Sequence, residues 1–157
     1  RLRAFQDLRG DPPDPGFIAD LEFLENRDLD LSVRLGAMLA FNALLVTVGT
    51  HPVSASPGAP LSLDAATHPW LTLASLTALV PIAVSSWFVL KAMLLGEEIE
   101  NDELTGEALR VHLFAAFVRS IDAQARLLTL AIRATLAGAA LTMIVWGVIL
   151  AGKMAAA

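Results

Sequence analysis

The residue with the most insistent chemistry in this chain is Asn42, an amide set in the middle of a long aliphatic run from Leu35 to Thr50. A primary amide surrounded by hydrocarbon is costly unless its donors and acceptor are engaged, so Asn42 is expected to reach across to a neighbouring helix. Gly36, Ala40 and Ala43 give the same helix a face of small residues, as Ala134 and Gly138 do on a later run and Ala74 and Ala78 on a middle one. Small residues at this spacing let helix backbones approach closely. Gly36, Ala40, Asn42, Ala43, Ala134 and Gly138 are therefore the candidate helix-association residues. Arg34, Lys91 and Arg133 each stand at the corresponding end of a different apolar run. They are expected to lie at one depth as a basic ring, snorkelling to lipid phosphates or holding another anionic ligand. Asp30 precedes Arg34 by one helical turn and is placed to pair with it.

The remaining polar clusters point to no reaction. Glu97, Glu98, Glu100, Asp102, Glu103 and Glu107 form the densest charge run, without the ligand spacing of a calcium loop. They read as a solvated turn, with Asp102 and Glu103 favouring a helix start near them. His51 and His68 bracket a loop that contains Asp64, fewer ligands than zinc sites usually have, and no metal site is expected there. With no cysteine, thiolate metal sites and cysteine nucleophiles are excluded. No histidine and no carboxylate interrupts the apolar runs, which leaves neither an axial haem ligand nor a proton relay inside them. Phosphate-binding glycine loops, Ser/His/Asp sets and HExxH are also missing. The expectation is a protein that is not an enzyme and has no cofactor beyond bound phospholipid. A net charge of -5 argues against nucleic acid as a partner.

What positions these residues follows from composition. Hydrophobic residues make up 55% and charged residues 17%, and the mean hydropathy is +0.61, more apolar side chain than a soluble core of this size can hide. The fold class expected is all-α: an integral membrane bundle of three transmembrane helices with cytoplasmic helical extensions. The spans are Leu35 to Thr50, Trp70 to Leu90 and Ala134 to Ala151, with the first on the short side of the roughly 17 to 25 residues a crossing needs. Arginine and lysine precede the first span and fill the second loop but are missing from residues 51–69. That asymmetry puts the N-terminal segment and second loop in the cytoplasm and the first loop and C-terminus on the periplasmic side of a bacterial inner membrane. The first span is read as retained, because the polar segment before it is too long for a signal peptide.

Along the chain this gives an N-terminal cytoplasmic segment over 1–14, and an amphipathic helix continuing into the first span over 15–50. An outer loop follows over 51–69 and the second span over 70–95. Residues 96–126 form an acidic turn and amphipathic helix, 127–152 the third span and 153–157 a tail. Asp14 and Pro15 make a helix start. Phe17, Ile18, Leu21, Leu24 and Leu31 form one apolar stripe, and Leu109, Leu113, Phe117, Ile121 and Leu128 another. The two extensions are expected to pack together below the membrane. Pro81 should kink the second span, with Ser85 and Ser86 one turn on to satisfy freed backbone groups. Trp70 and Trp146 fit an aromatic belt on the outer side.

Two of these segments carry a resemblance. Arg34 to Val48, RLGAMLAFNALLVTV, resembles the opening of the Pycsar-type antiphage membrane-effector domain, and Arg126 to Leu141, RLLTLAIRATLAGAAL, looks like its closing helix. The resemblance covers most of Asp28 to Leu150 and implies an oligomer that compromises the inner membrane on a cyclic-nucleotide signal. The residues themselves point first to a non-catalytic accessory or structural subunit. Its partners would be membrane lipids and other membrane subunits or copies of itself.

Overall fold

The computed structural model describes residues 15–95 and 107–156, with no strand among them. Among the described residues five helices follow one another: α1 (Pro15–Gly49), α2 (His51–Ser54), α3 (Pro69–Thr77), α4 (Val80–Leu94) and α5 (Glu107–Ala156). Three helical stretches are long and apolar enough to cross a membrane: 18–49, 69–94 and 114–156. The molecule is a helical bundle with three candidate membrane-spanning helices among the described residues. Asp14 and the acidic run from Glu97 to Glu103 lie outside the described residues, and with them the helix-cap and helix-start expectations.

α1 runs unbroken for 35 residues, about 50 Å at the usual helical rise. It buries Leu21, Leu24, Leu31, Leu35 and Asn42 on one side. Its end is set locally: Thr50 N–H closes the last turn on the Val46 carbonyl, and the chain then turns into α2, which carries Pro52 in its first turn. α5 is a single helix of 50 residues, about 75 Å long. The amphipathic segment thus leads into the third span without a break, as one rod. It continues through Ala156, so Lys153 belongs to its last turn and not to a tail.

The second span departs from one continuous helix. It breaks at Ala78 and Leu79, between α3 and α4, where Leu79 N–H bonds Leu76 O and Ile82 N–H bonds Leu79 O in tight three-residue turns. The cause is Pro81: it has no N–H to give the preceding turn, so the ladder tightens one turn ahead of it.

α4 packs most extensively on α5, and α1 closes the bundle against both. The end that carries residues 15–34 and 107–126, hereafter the stem, holds a core of Leu24, Leu31, Leu35, Val89, Ala92, Phe117, Ile121, Leu128 and Ala131. The two amphipathic stripes thus face each other, although the side chains of Phe17, Leu109 and Leu113 lie outside the description. In water, burying each large stem side chain contributes on the order of 1.5–3 kcal/mol. In lipid that driving force vanishes because the surroundings are equally apolar, and association falls to close packing and hydrogen bonds. The upper bundle shows both.

Candidate functional site

Close packing comes from two glycines. A Cβ on Gly138 would stand 2.5 Å from Ile82 Cγ1 and 3.2 Å from the Ile82 backbone nitrogen, so only glycine lets α5 approach α4 just beyond the Pro81 kink. Gly49 lies close at the top of α1, where a Cβ would meet the end of the flexible Leu79 side chain and no backbone atom. These contacts fix two facing levels, with Gly49 beside Leu79 and Thr142, and Ile82 beside Gly138.

The hydrogen bonds come from one buried cluster that joins all three candidate spans. Asn42, fully buried, donates through Nδ2 to Ser85 Oγ at 2.9 Å and to Ser86 Oγ at 3.2 Å. Thr135 Oγ1 donates to Asn42 Oδ1 at 2.7 Å. The Thr135 and Ser85 hydroxyl oxygens are 2.8 Å apart. Thr135 has one proton and gives it to the amide carbonyl, the stronger acceptor, so the Ser85 hydroxyl supplies the proton of that last contact. The result is a closed ring, Asn42 to Ser85 to Thr135 and back, in which each bond polarises the next. Ser86 completes it by donating to Ile82 O at 3.1 Å. Every donor and acceptor site that Asn42 presents to its neighbours is engaged, which makes the cluster a fastener between helices.

Asn42 thus finds the cross-helix partner its position demands. Ser85 bonds side chains of α1 and α5 and not the backbone freed by Pro81; Ser86 alone returns to its own helix. Thr135 was not singled out from the sequence. The usable signal was its place on the inward stripe Leu128, Ala131, Thr135, Gly138, all four buried.

The small residues divide in two. Gly138 is buried against Ile82 and Ala134 is half-buried beside it. On the middle helix Ala78 is buried and Ala74 half-buried. Gly36, Ala40 and Ala43 are all exposed on the side of α1 turned away from the bundle, and a Cβ on Gly36 would meet nothing within 4 Å.

The basic residues do not share one depth. Measured from the hydrogen-bonded ring at the helical rise, Arg34 lies about 12 Å toward the stem, Lys91 about 9 Å and Arg133 only about 3 Å. Arg126, about 13 Å from Thr135, stands level with Arg34 and Lys91 in place of Arg133. The error in the expected ring is one of register: apolar runs were aligned by their ends, whereas the helices are aligned by Asn42, Ser85 and Thr135. All three cations are exposed. Arg34 Nε pairs with Asp30 Oδ1 at 3.0 Å, and Asp30 also receives Arg27 at 3.4 Å. Exposed pairs of this kind are worth well under about 1 kcal/mol.

At the other end, Lys153 Nζ donates to Ala59 O at 2.7 Å and Ser62 Oγ at 3.2 Å, tying the outer loop to α5. Leu63 N–H bonds Pro52 O at 2.8 Å, and Gly58 supplies the positive φ of 92° that the turn needs. His51, Asp64 and His68 are exposed, and the Asp64 carboxylate accepts the Ala66 N–H at 3.0 Å. Among the described residues no group of three or more His, Asp or Glu side chains could hold a metal ion. Trp70 is exposed. Trp146 is half-buried, and its Nε1 is enclosed with no hydrogen-bond partner among the described residues.

Comparison with protein-family models, with curated proteins and with solved structures finds no match for this chain. The class stated by the fold, a helical bundle with three candidate membrane-spanning helices, is where comparison ends.

Proposed function

We propose that this chain is a non-catalytic three-span protein of the bacterial inner membrane that works by helix–helix association. It would serve as an accessory subunit of a larger membrane complex or as a homo-oligomer. The Arg1 end and residues 96–126 face the cytoplasm and residues 51–69 the periplasm, as the distribution of arginine and lysine favours. The observation that supports the reading is the division among its association residues. Asn42, Gly138 and Thr135 are used up in holding the monomer together. Gly36, Ala40 and Ala43 line an exposed helix face, and a Cβ on Gly36 would meet nothing within 4 Å. Phospholipid phosphates are the ligands proposed for Arg34, Lys91 and Arg126, with Arg133 reaching down toward the stem from a deeper position.

The test is purification of the full chain in a mild detergent, with the mass of the protein component measured after subtracting bound detergent. An assembly larger than the 16.7 kDa chain that shrinks on Gly36→Leu or Ala40→Leu is the expected result. A lone chain in wild type, with no co-purifying subunit at fixed stoichiometry, overturns the proposal. Dye leakage from vesicles on addition of a cyclic nucleotide would instead favour the Pycsar-type effector, which the resemblance of two segments supports.

A further inference from the structure

The outward face of α1 continues beyond its three small residues in both directions. Glu22, Asn26, Leu29, Val33, Gly36, Ala40, Ala43 and Thr47 recur at alternating spacings of four and three, and all are exposed. They lie opposite the stripe of Leu24, Leu31, Leu35 and Asn42 that α1 buries in its own bundle. A repeat averaging 3.5 residues over the length of a helix is the signature of a left-handed two-helix seam.

Two observations separate this face from an ordinary lipid-facing surface. Leu29 and Val33 are each 64% exposed, in the stretch that also carries Arg27, Asp28, Asp30 and Arg34. Charges at that density hold the stretch at or outside the membrane boundary, where lipid tails cannot cover two large aliphatic side chains. Gly36, next in the seam, is a helix-weakening residue with nothing near it in this chain to require the missing Cβ. A body that packs along the seam accounts for both.

We propose that this body is α1 of a second copy of the chain, lying parallel across a twofold axis. The seam crosses from charged to apolar surroundings in one register, so its occupant must be a helix making the same crossing with the same repeat, which α1 does by construction. Asn26 supplies a self-complementary group. An amide in such a seam pairs with its own mate and fixes a parallel dimer in register. The flanking charges permit it: Asp30, which would face Glu25 of the mate, is already held by Arg27 and Arg34 of its own helix. Above Arg34, glycine and alanine bring the two backbones close. This inference rests on the association reading and names its partner.

The chain has no cysteine, so single cysteines can be introduced without background. The full chain in membranes, carrying Val33→Cys, Gly36→Cys, Ala40→Cys or Phe41→Cys, is treated with a mild oxidant. Phe41 is exposed but turned off the seam. Expected are disulfide-linked dimers at Val33→Cys, Gly36→Cys and Ala40→Cys, at least tenfold less at Phe41→Cys, and loss of the Val33→Cys dimer when Gly36→Leu is added. Equal cross-linking at Phe41→Cys and Ala40→Cys, or none at any position, overturns the dimer. If cross-linking fails while a different subunit co-purifies at fixed stoichiometry, this inference falls and the association proposal stands; if both fail, both fall.

Discussion

The ring of Asn42, Ser85 and Thr135 has a property that single contacts lack: each member bonds both others, so removing one takes a partner from each of the remaining two. Asn42→Leu keeps the branching of the side chain but leaves Thr135 and Ser85 without their amide. Replacing Thr135 by the isosteric Val removes one proton and one acceptor while leaving the amide two donors' worth of partners. We predict that Asn42→Leu lowers unfolding stability in detergent by about 1–2 kcal/mol and Thr135→Val by less, in keeping with the modest worth of hydrogen bonds between membrane helices. Equilibrium unfolding in a denaturing detergent followed by circular dichroism measures both, and equal stability for all three proteins would show the ring to be idle. The need of Asn42 for a partner was legible in the sequence because no water competes for an amide among aliphatics. Its partners were not. Thr135 hides among threonines such as Thr129 and Thr142, which bond back to their own helix at Ala125 O and Gly138 O. Only its register on the stripe of Leu128, Ala131 and Gly138 distinguishes the inward threonine from those.

At the scale of elements, the two kinds of glycine make opposite predictions. Gly138→Ala drives a methyl group into Ile82 and its backbone, and should cost about 1–3 kcal/mol as an overpacked contact. Gly36→Ala meets open space and should leave the isolated chain unchanged or up to about 1 kcal/mol more stable, through better helix propensity. The same unfolding experiment under conditions that keep the chain monomeric checks the pair, and a shared sign would contradict the assignment of inward and outward faces. Lys153→Met should release residues 55–67. Faster amide hydrogen exchange there with unchanged global stability is expected, since the lysine is exposed and its bonds are local. Which sequences form helices was plain from periodicity and length. Two boundaries escaped it. Pro81 marks a defect but not which side of it yields, and α5 conceals the junction between stem and span because no residue there breaks the helical pattern.

For the whole molecule, the class of fold was open to inspection from hydropathy alone, whereas relative depth was not. Apolar runs have ill-defined ends, so matching Arg34, Lys91 and Arg133 by run misplaced Arg133; the true alignment is set by contacts between residues far apart in sequence. Orientation makes a further prediction. In the cysteine-free background, Ser56→Cys should react with an impermeant maleimide on intact spheroplasts, and Asp122→Cys only after the membrane is opened. The reverse pattern would invert the molecule and with it the proposed cytoplasmic stem.

α5 has no joint along its 50 residues, while its closest companion is broken at Ala78 and Leu79. A stiff beam cannot absorb a sideways push at one end. α5 is gripped at several heights, by Phe117 and Ile121 low down, Thr135 midway and Gly138 above, so a load applied near Phe114 finds no joint in it to yield, whereas the neighbouring strut can bend at its gap. Spin labels near Phe114 and Lys153, compared with and without a binder on the stem, are expected to keep their mutual distance while distances from α5 to α3 change.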